Sequence, residues 1–355
     1  MSTLAAQLAL VPRIDVASAD QAADELDGFV QGHARGSIYH LNGWRRLAAV
    51  LFGHEAFCLM ARKETGELTG ILPLVRLQSR LFGNYMVSMP YVNYGGALAD
   101  DPRVEETLMC AAAELAGLKG CSHVEFRDTF PRGPEWALRT DKVAMVLALP
   151  ETGRALWSAI GGKCRAQVRR PMREGADVLH GGRELLTEFY AVFARNMRDL
   201  GTPVYPRRFF AQVMDMMGEA ASISVVRLGG RPVAAALLLR DRLRMEVPWA
   251  SSLRASNALG TNMLLYWSLL ERAVEAGCTE FDFGRSSVGS GTWRFKKQWG
   301  AEERQLYWHY WLAPGQSVPA LNPANPRYGL AVAFWKRLPL PLANLLGPHI
   351  VKSLP

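Results

Sequence analysis

The sequence predicts an α+β fold built from two copies of one unit, each a mixed, mostly antiparallel sheet flanked by helices. The chain has 355 residues, more than one hydrophobic core usually organises, so two domains are expected. Its hydrophobic fraction of 49% is that of a folded globular protein rather than a disordered one. Two pairs of similar segments recur in the same order in the two halves, and they define the repeated unit.

The clearest repeat pairs residues 114–128, ELAGLKGCSHVEFRD, with residues 271–285, ERAVEAGCTEFDFGR. Each segment is typical of the end of an amphipathic helix, a Gly-Cys pair, and a short strand with an acidic residue and an arginine near its end. Upstream, residues 58–76 and 225–240 each predict a strand, a glycine-bearing hairpin turn and a second strand that ends in arginine. The shared order indicates an internal duplication.

The second copy shows the predicted order of elements most fully. Strands are predicted at 221–228, 232–240 and 244–250, followed by a helix that begins at Thr261 or Asn262 and runs to about Ala276. Gly277 is expected to end this helix, and a last strand runs from 278 to 283. These boundaries predict a lead-in over 1–36, a first unit over 37–150, a second unit over 151–312 and a Pro-rich tail over 313–355.

The formal net charge of +8 favours anionic partners such as phosphates, nucleic acid or an anionic membrane face. No run of five like charges occurs, so nucleic-acid binding is permitted but not required, and sequence-specific DNA binding is not expected. The five cysteines show no CxxC spacing and are expected to be reduced core thiols, with no metal site. The N-terminal stretch lacks the pattern of a signal peptide, and no run of 18 apolar residues exists. We therefore expect a cytoplasmic protein, with peripheral contact at the inner membrane face as an open alternative.

The segment from Asp282 to Gly300, DFGRSSVGSGTWRFKKQWG, carries the strongest functional signal. A strand leads into a Gly/Ser loop and then into a strand-like aromatic segment in which Phe295 and Trp299 bracket Lys296 and Lys297. A lysine ammonium that faces a pocket between aromatic rings is a strong local source of positive charge. The alternative is that Lys297 is solvated while Lys296 lies over an aromatic ring as a structural pair.

The other titratable residues form no known catalytic constellation. The seven histidines are scattered, and no Ser/His/Asp or Cys/His arrangement is apparent. His123 and His309 lie in apolar, strand-like runs, where a core or edge role is expected. Asp128 and Asp282 are each expected to cap or order a loop.

Residues 291–300, GTWRFKKQWG, resemble the G-x-[aromatic]-x-F-K-x-x-[aromatic]-G signature of the Fem-like (FemAB/FemX type) peptidyltransferases, which have tandem GNAT-like (acyl-CoA N-acyltransferase-like) domains. The basic segment 163–178 is similar to a second stretch of that family, with Pro171 in place of a small helical residue. The resemblance covers roughly 37–312. It is closest to the Fem-like proteins associated with exopolysaccharide and PEP-CTERM loci, in which residues 90–96 and 197–210 have counterparts.

The resemblance implies transfer of an acyl or aminoacyl group to an amine of an anionic cell-envelope (peptidoglycan, cell-wall) or exopolysaccharide precursor, small or lipid-linked. Lys296 would stabilise the oxyanion of the tetrahedral intermediate. The donor would be an acyl-CoA or an aminoacyl-tRNA, with no tightly bound cofactor. A CoA-type loop usually has R/Q-x-x-G-x-G/A, and this chain has Asn257 and Leu259 where those glycines belong. A CoA-dependent N-acetyltransferase and a non-catalytic glycan- or peptide-binding protein on the same fold are the alternatives.

Arg285 is predicted to act with Lys296 in catalysis, because it follows a strand toward a cleft and could clamp an anionic acceptor. Pairing with Asp282 or Glu280 is the alternative. Three further groups are predicted to bind substrate: an aromatic loop in the first unit, a helix on which residues 165, 169 and 173 share one face, and a basic loop near 205. For the aromatic loop and the helix, a structured turn and a solvated face are the alternatives. The predicted substrate-binding residues are Tyr91, Asn93, Tyr94, Lys163, Arg165, Arg169, Tyr205, Arg207, Trp293 and Phe295.

The first unit has no counterpart of the FK pair and is expected to be a substrate platform. In the tail, a short amphipathic helix is predicted over 328–338, followed by Pro-broken apolar turns. This segment would dock on the protein itself or lie on an anionic membrane surface.

Overall fold

The computed structural model describes residues 12–319 and 326–354, and the chain forms two compact units. Unit 1 comprises Met1–Thr140, Leu306–Ala320 and Lys352–Pro355, and unit 2 comprises Asp141–Gln305 and Leu321–Val351. No helix in these described stretches is long and apolar enough to cross a membrane. The same residues contain no group of three His, Cys, Asp or Glu side chains that could hold a metal ion.

Unit 1 is a mixed sheet of eight strands with three helices. The strands are β1 (Arg13–Ser18), β2 (Glu55–Arg62), β3 (Leu68–Ser79), β4 (Gly83–Val87), β5 (Leu98–Ala99), β6 (His123–Asp128), β7 (Ala137–Arg139) and β15 (Tyr307–Leu312). The helices are α1 (Ala23–Gly32), α2 (Asn42–Phe52) and α3 (Pro102–Leu118). The order across the sheet is β1-β2-β3-β4-β6-β15-β7, and β5 pairs with β3.

Unit 2 is a seven-stranded mixed sheet with eight helices in its described part. The strands are β8 (Lys142–Ala148), β9 (Ala176–Gly181), β10 (Ala221–Leu228), β11 (Arg231–Asp241), β12 (Arg244–Ser252), β13 (Glu280–Ser287) and β14 (Glu302–Gln305). The helices are α4 (Gly153–Ala159), α5 (Gly162–Arg173), α6 (Leu186–Leu200), α7 (Arg207–Met217), α8 (Thr261–Glu275), α9 (Gly291–Lys297), α10 (Pro326–Arg337) and α11 (Leu340–Val351). The order across the sheet is β9-β10-β11-β12-β13-β8-β14.

The two sheets have the same order of strands. Each begins with an antiparallel meander of four strands, continues with one parallel pair (β4 with β6, β12 with β13) and ends in two antiparallel edge strands. The parallel pair is joined by a long helix, α3 in unit 1 and α8 in unit 2, as the crossover between parallel strands requires. The predicted α+β fold, with mostly antiparallel sheets flanked by helices, is confirmed.

The two halves of the chain exchange one strand each. β15 pairs with β6 and β7 in the sheet of unit 1, although it follows β14 in sequence. β8 pairs with β13 and β14 in the sheet of unit 2, although it follows β7 directly. The chain therefore passes into unit 2 at residue 141 and back into unit 1 at residue 306.

This exchange explains where the predicted boundaries differ from the structure. The predicted division after residue 150 assigns β8 to the first unit, whereas β8 belongs to unit 2. Within the predicted lead-in over 1–36, residues 13–32 contribute β1 and α1 to unit 1. Within unit 2, the predicted strands and the long helix match β10, β11, β12 and α8 to within two residues.

Each sheet buries its own long helix. Leu108, Ala112 and Ala116 of α3 belong to the core of unit 1, whereas Leu264, Leu269 and Ala273 of α8 belong to the core of unit 2. Their spacing of four or five residues gives one apolar face, which the sheet covers. The five cysteines are free thiols. Four are buried, and burial raises the pKa of Cys58 to about 11, as expected for a core thiol. The prediction of a core position is wrong for Cys110, which is exposed.

Candidate active site

In unit 2, β12 and β13 diverge soon after they begin to pair. Their parallel pairing covers only Arg244–Glu246 on β12 and Glu280–Asp282 on β13, although the strands continue to Ser252 and Ser287. Beyond these pairs the two strands offer backbone groups that neither uses for the other. The last pair, Glu246 with Asp282, consists of two buried carboxylates at the point of divergence.

A bulge in β13 lies immediately after this point. The register of β13 against β8 shifts between Asp282 and Arg285, and Gly284 takes a φ of +74°, which an L side chain rarely adopts. Asp282 orders the bulge as predicted, because its Oδ1 accepts a hydrogen bond of 2.7 Å from the Gly284 N–H. The carbonyl oxygens of Gly284 and Arg285 are turned away from the ladder and face α9.

Lys296 of α9 binds both carbonyls. Its Nζ donates to the Gly284 oxygen at 3.0 Å and to the Arg285 oxygen at 2.9 Å. The side chain is 7% exposed. Lys296 therefore faces the interior at the strand divergence, and the alternative in which it lies over an aromatic ring is not what the structure has.

Burial controls the protonation of Lys296. Desolvation lowers its pKa to about 8, opposed by the negative charges of Asp282 and Glu246, while the Arg285 guanidinium lowers it further. A lysine in this range changes charge near physiological pH, unlike an exposed lysine with a pKa near 10.5. The two carboxylates are thus what keeps a substantial fraction of this buried amine cationic.

The segment that carries Lys296 is a helix, so the prediction of a strand-like segment is wrong. Ser290 caps it, because its Oγ accepts a hydrogen bond from the Trp293 N–H at 3.2 Å, and Gly300, with a φ of +91°, follows its end. The aromatic residues suggested a strand. The serine cap and the Gly300 stop at helical spacing were the signals that sequence reasoning passed over.

The helical geometry places neighbouring residues of α9 on different faces. Lys296 faces β13, whereas the Phe295 ring packs on Tyr266 with 4.8 Å between centroids. Lys297 is on the outer side, where its Nζ lies 3.3 Å from a Glu303 carboxylate oxygen and 5.7 Å from the centre of the Trp293 ring. Lys297 is thus on the exposed face of α9, as the alternative interpretation of this segment had it.

A cavity of about 290 Å³ lies at the N-terminus of α8. It is formed by α5, the 3₁₀ turn at Arg254–Leu259, the first turn of α8 and the outer face of α9. The lining residues are Gln167, Arg170, Asn257, Ala258, Leu259, Gly260, Asn262, Met263, Phe295 and Gln298. An uncapped helix N-terminus with an arginine and two asparagines beside it is suited to bind an anionic group.

Gly260 determines the shape of this cavity. Its φ is +86°, and a Cβ at this position would lie 3.0 Å from the Gln167 backbone oxygen, so a glycine is required there. Its own N–H donates to the Asn257 oxygen at 3.0 Å and is not free for a ligand. The Oε1 atom of Gln167 is buried without a hydrogen-bond partner. Side chains, more than loop amides, therefore provide the polar groups of this cavity.

The predicted arginine face of α5 has another use. Arg165 donates to the Ile160 oxygen at 2.6 Å, and Arg169 lies over the Trp157 ring at 5.1 Å, so both hold α4 against α5. The residues of α5 that line the cavity are Gln167 and Arg170. Arg165 and Arg169 thus make contacts within the protein, and Arg170 is the arginine of α5 that lines the cavity. The predicted substrate contact of Arg165 and Arg169 stays a prediction.

The remaining predicted residues of unit 2 lie elsewhere on its surface. Lys163 is exposed on the first turn of α5. Tyr205 stacks on Phe209 with 4.5 Å between ring centres, and Arg207 donates to the Thr187 hydroxyl at 2.9 Å. None of these three lines the cavity. Lys296 donates to the Arg285 backbone oxygen, and Trp293 lies on α9 with its ring centre 5.7 Å from the Lys297 Nζ. Glu280, one of the two alternative partners of Arg285, binds Arg244 and Arg304. The predicted roles of Arg285 and Trp293 stay predictions.

The predicted aromatic loop belongs to unit 1 and is largely buried there. Tyr91 has a φ of +73° and donates its hydroxyl to the Lys352 oxygen at 2.6 Å. The ring of Tyr94 packs against Tyr39 with 6.0 Å between centres. Asn93 lies between them, half-buried. The loop thus holds the end of the chain, and its predicted contact with a sugar or peptide stays a prediction.

The tail docks on the protein. Tyr85 donates to the Ser353 oxygen at 2.9 Å in unit 1, while α10 and α11 pack on α6 in unit 2. The predicted amphipathic helix corresponds to α10. The predicted Pro-broken turns are wrong, because Leu340–Val351 is helical. Pro341 lies in the first turn, where no backbone N–H is needed, and Pro348 lies inside the helix.

Sequence reasoning missed Glu246 and Gln167. Glu246 is a lone carboxylate in the apolar strand MEVPWAS, and a charge placed there is costly unless it has a role, so it was a detectable signal. Gln167 carried no comparable signal. His309, by contrast, is the core histidine that was expected, bound between Asp128 and the Arg132 N–H.

Residues 162–297 match the family model described as an acetyltransferase (GNAT) domain. Among solved structures, FemX aligns with a TM-score of 0.63 at 14% identity, covering 90% of this chain and 100% of that one. L-PGS from Bacillus licheniformis aligns with a TM-score of 0.55 at 16% identity, covering 89% and 97%. A tandem GNAT protein from the clavulanic acid biosynthesis pathway gives 0.54 at 12%, covering 86% and 100%. No curated protein matches the chain by sequence.

These likenesses confirm the predicted tandem GNAT-like fold and its similarity to Fem-like proteins. The matched domain makes the chain an acyltransferase by class, as predicted. The identities of the solved structures are low, so their likeness concerns the fold. The association with exopolysaccharide and PEP-CTERM loci stays a prediction.

Proposed function

We propose that this chain transfers an acyl or aminoacyl group to an amine of an anionic cell-envelope precursor, and that Lys296 stabilises the oxyanion formed on the way. The observation that carries the proposal is the buried Lys296 ammonium at the divergence of β12 and β13. Phe295 and Gln298, its neighbours along the chain, line the cavity at the N-terminus of α8. A buried cation is costly to maintain, and catalysis would explain it.

The hydrogen bonds of Lys296 suit that role. An ammonium has three N–H donors, and the Gly284 and Arg285 carbonyls accept two of them. The remaining N–H can donate to an oxyanion without any rearrangement of the amine. Electrostatic stabilisation of this kind is effective because the donor is already oriented and water is excluded.

In the proposed reaction, the acceptor amine attacks the carbonyl carbon of the donor. A C–N bond forms, the carbonyl oxygen becomes the oxyanion near Lys296, and the C–S or C–O bond to the donor then breaks. The attacking amine loses one proton, which leaves with the released thiol or hydroxyl or passes to a buried carboxylate. Glu246, the buried carboxylate at the end of the β12–β13 pairing, is proposed to take it in that case.

The donor would bind in the cavity at the N-terminus of α8. Arg170, Asn257 and Asn262 would hold its phosphates. Acyl-CoA and aminoacyl-tRNA both carry phosphates, so the cavity chemistry accommodates either. The family description of residues 162–297 favours a CoA thioester, and a CoA-dependent N-acetyltransferase is therefore the second candidate.

The acceptor is proposed to be anionic because the chain carries a net charge of +8 and Arg285 lies beside Lys296. One neighbouring solved structure is titled as the C-terminal domain of a putative lysylphosphatidylglycerol synthetase, whose named product is an anionic lipid modified with lysine. We carry only the general chemistry over to this chain: an activated carboxyl group and an anionic acceptor. Unit 1 is proposed to be the platform for that acceptor.

The test compares wild type, Lys296→Met and the matched control Lys297→Met. Each protein is incubated with acetyl-CoA or charged tRNA and with nucleotide-linked cell-wall precursors, and the products are weighed by mass spectrometry. We expect wild type and Lys297→Met to add an acyl or aminoacyl mass, whereas Lys296→Met loses about 10²- to 10³-fold in rate, the usual cost of removing one oxyanion donor. The donor that supports the mass gain identifies the donor class.

Two outcomes would contradict the proposal. Equal rates for wild type and Lys296→Met would remove Lys296 from the mechanism. Thermal stabilisation of wild type and Lys296→Met by a precursor, with no mass gain under any donor, would favour a binding protein instead.

A further inference from the structure

The last helix, α11, packs with its small residues inward and its leucines outward. Ala343, Gly347 and Val351, spaced by four residues, are buried, whereas Leu345 on the other face is 63% exposed. Leu342 and Leu346 are exposed on the same face as Leu345. A helix that serves only the protein core would have its leucines inside.

A close backbone contact fixes this orientation. A Cβ at Gly347 would lie 2.8 Å from the Val204 nitrogen and 3.0 Å from the Val204 oxygen. Only glycine permits this approach, so the helix cannot rotate to bring its leucines inward without losing the contact. The outward leucines are therefore built into the packing of unit 2.

The preceding helix, α10, packs on α6 as α11 does and also exposes large apolar side chains. Leu330 and Phe334 lie one turn apart and are 73% and 65% exposed, while Trp335 is buried. Arg337, exposed, falls on the same face as Leu330 and Phe334, seven residues after Leu330. Among the large apolar side chains that are exposed in the described residues, α10 and α11 hold five of fourteen.

The charged residues of the C-terminal segment itself all have one sign. The sequence has no Asp or Glu after Glu303, while Arg304, Arg327, Lys336, Arg337 and Lys352 follow. The side chain of Lys336 passes over Gly201: its Cε would lie 3.2 Å from a Cβ added at Gly201. Lys336 is nevertheless exposed. Exposed leucines and phenylalanine next to lysine and arginine match the interface of an anionic bilayer, where apolar side chains enter the acyl region and cations meet the phosphates.

We propose that the surface formed by Leu330, Phe334, Leu342, Leu345 and Leu346 binds the surface of an anionic phospholipid membrane. Lys336 and Arg337 contact the lipid phosphates. The proposal rests on the exposed faces and charges of α10 and α11 and is independent of the reaction proposed above. It would place an enzyme of cell-envelope precursors where lipid-linked acceptors are found.

The test is vesicle flotation of the full chain. Vesicles of phosphatidylcholine with phosphatidylglycerol are compared with vesicles of phosphatidylcholine alone, for wild type and for the triple variant Leu342→Gln, Leu345→Gln, Leu346→Gln. We expect wild type to float with the anionic vesicles and the triple variant to remain at the bottom. Lys336→Gln with Arg337→Gln should weaken binding about fivefold for each cation removed, and only on anionic vesicles.

Controls separate this result from misfolding and from the proposed reaction. Leu118→Gln, which changes a leucine of unit 1 that is more exposed than those of the triple variant, should float like wild type. The triple variant should keep the wild-type melting temperature and its rate with soluble acceptors. Failure of wild type to float on either vesicle, or flotation of the triple variant, overturns the proposal. If wild type is a dimer in solution and the triple variant a monomer, a second copy of the chain covers this surface and the membrane proposal is also overturned.

Discussion

The two units differ at one equivalent position of their sheets, the end of the parallel strand pair. In unit 2, the divergence of β12 and β13 contains Glu246, Asp282 and, across the bulge, the Lys296 ammonium. In unit 1, β4 and β6 pair in parallel over Met86–Val87 with Val124–Glu125, and the same position is closed by the protein's own groups. The repeated sequences show how the difference arises.

Alignment of the repeats places Arg127 where unit 2 has Gly284. Arg127 is buried, binds the Glu125 carboxylate at 2.8 Å and donates to the Met89 oxygen at 3.1 Å. It thus neutralises the carboxylate that corresponds to Asp282 and satisfies the loop that follows β4. Unit 2 has a glycine at this position and supplies its cation from α9 instead.

The N-terminus of the helix between the parallel strands also differs: it is capped by a side chain in unit 1 and uncapped in unit 2. In unit 1, the Asp101 side chain caps α3 by accepting a hydrogen bond from the Arg103 N–H, and Pro102 removes one further donor. In unit 2, Gly260 precedes α8 and offers no side-chain cap, and the helix N-terminus borders the cavity. A duplicated unit whose polar positions are satisfied internally is suited to a scaffold, whereas one that leaves them next to a cavity is suited to bind a ligand.

The largest expected effect comes from breaking the internal pair of unit 1. Arg127→Met leaves the Glu125 carboxylate buried without its cation, so the free energy of unfolding should fall by about 3–5 kcal/mol. Urea unfolding measures it. The double variant Glu125→Gln with Arg127→Met should recover part of the loss, because no unpaired charge remains. A change within about 1 kcal/mol for the single variant would mean that unit 1 does not depend on this pair.

The second prediction concerns Lys296 and pH. Because its pKa is about 8, the rate should fall as pH rises through that value and the ammonium loses its proton. The free energy of unfolding should change in the opposite direction. In the unfolded chain the pKa of this lysine is near 10.5, so the unfolded state holds the proton more tightly than the folded state does. Below about pH 8, burial of the ammonium therefore costs roughly 3 kcal/mol. This cost is relieved between about pH 8 and 10.5.

Rate profiles and urea unfolding of wild type and Lys296→Met, measured across pH 6 to about 10, check both signs. The difference in the free energy of unfolding between the two proteins should shift in favour of wild type as pH rises. A rate that is flat through pH 8 would show that the charge of Lys296 does not matter to the reaction.

The third prediction makes unit 2 imitate unit 1. Asn262→Asp places a carboxylate in the first turn of α8, where it should stabilise the helix by about 0.3–1 kcal/mol. The same charge should weaken binding of a phosphate-bearing donor about tenfold. Calorimetric titration with the donor gives the affinity, and thermal unfolding gives the stability. Asn262→Ala is the control, and an Asp variant that binds the donor as well as the Ala variant would exclude the α8 N-terminus as the phosphate site.

The smallest effect is expected from Glu246→Gln. Its negative charge raises the pKa of Lys296, so its removal should move the fall in rate to a lower pH. The pH–rate profile of the variant measures this shift. A profile that loses activity equally at every pH would instead indicate that Glu246 takes the proton of the attacking amine.

Local sequence patterns were enough to predict the duplicated fold. The β10–β12 meander and α8 follow from apolar periodicity, glycine turns and the Gly277 stop, all of which act within a few residues. The helical form of α9 was missed because aromatic composition outweighed the Ser290 cap. The exchange of β8 and β15 could not be predicted from local sequence, because the two strands occupy equivalent positions in the two sheets and either could fill either position.

For the site, the FK signature led to Lys296 but not to its surroundings. Glu246 reaches the strand divergence through the pairing of β12 with β13, and Gln167 reaches the cavity through the packing of α5. Both involve segments that are far apart in sequence. The arginines of α5 were misjudged for a related reason: identical side chains on one helix differ in role according to which neighbour, α4 or the cavity, each one faces.

The exchange of strands also bears on how the chain is made. β6 leaves the ribosome with its neighbour β15 still to be synthesised, and at ordinary translation speeds the delay is on the order of ten to forty seconds. During that interval β8, already present, is the available strand for the open edge of β6. The nascent chain should therefore pass through a form in which the first half pairs with its own β8, and the finished protein should require β8 to be released when β15 arrives.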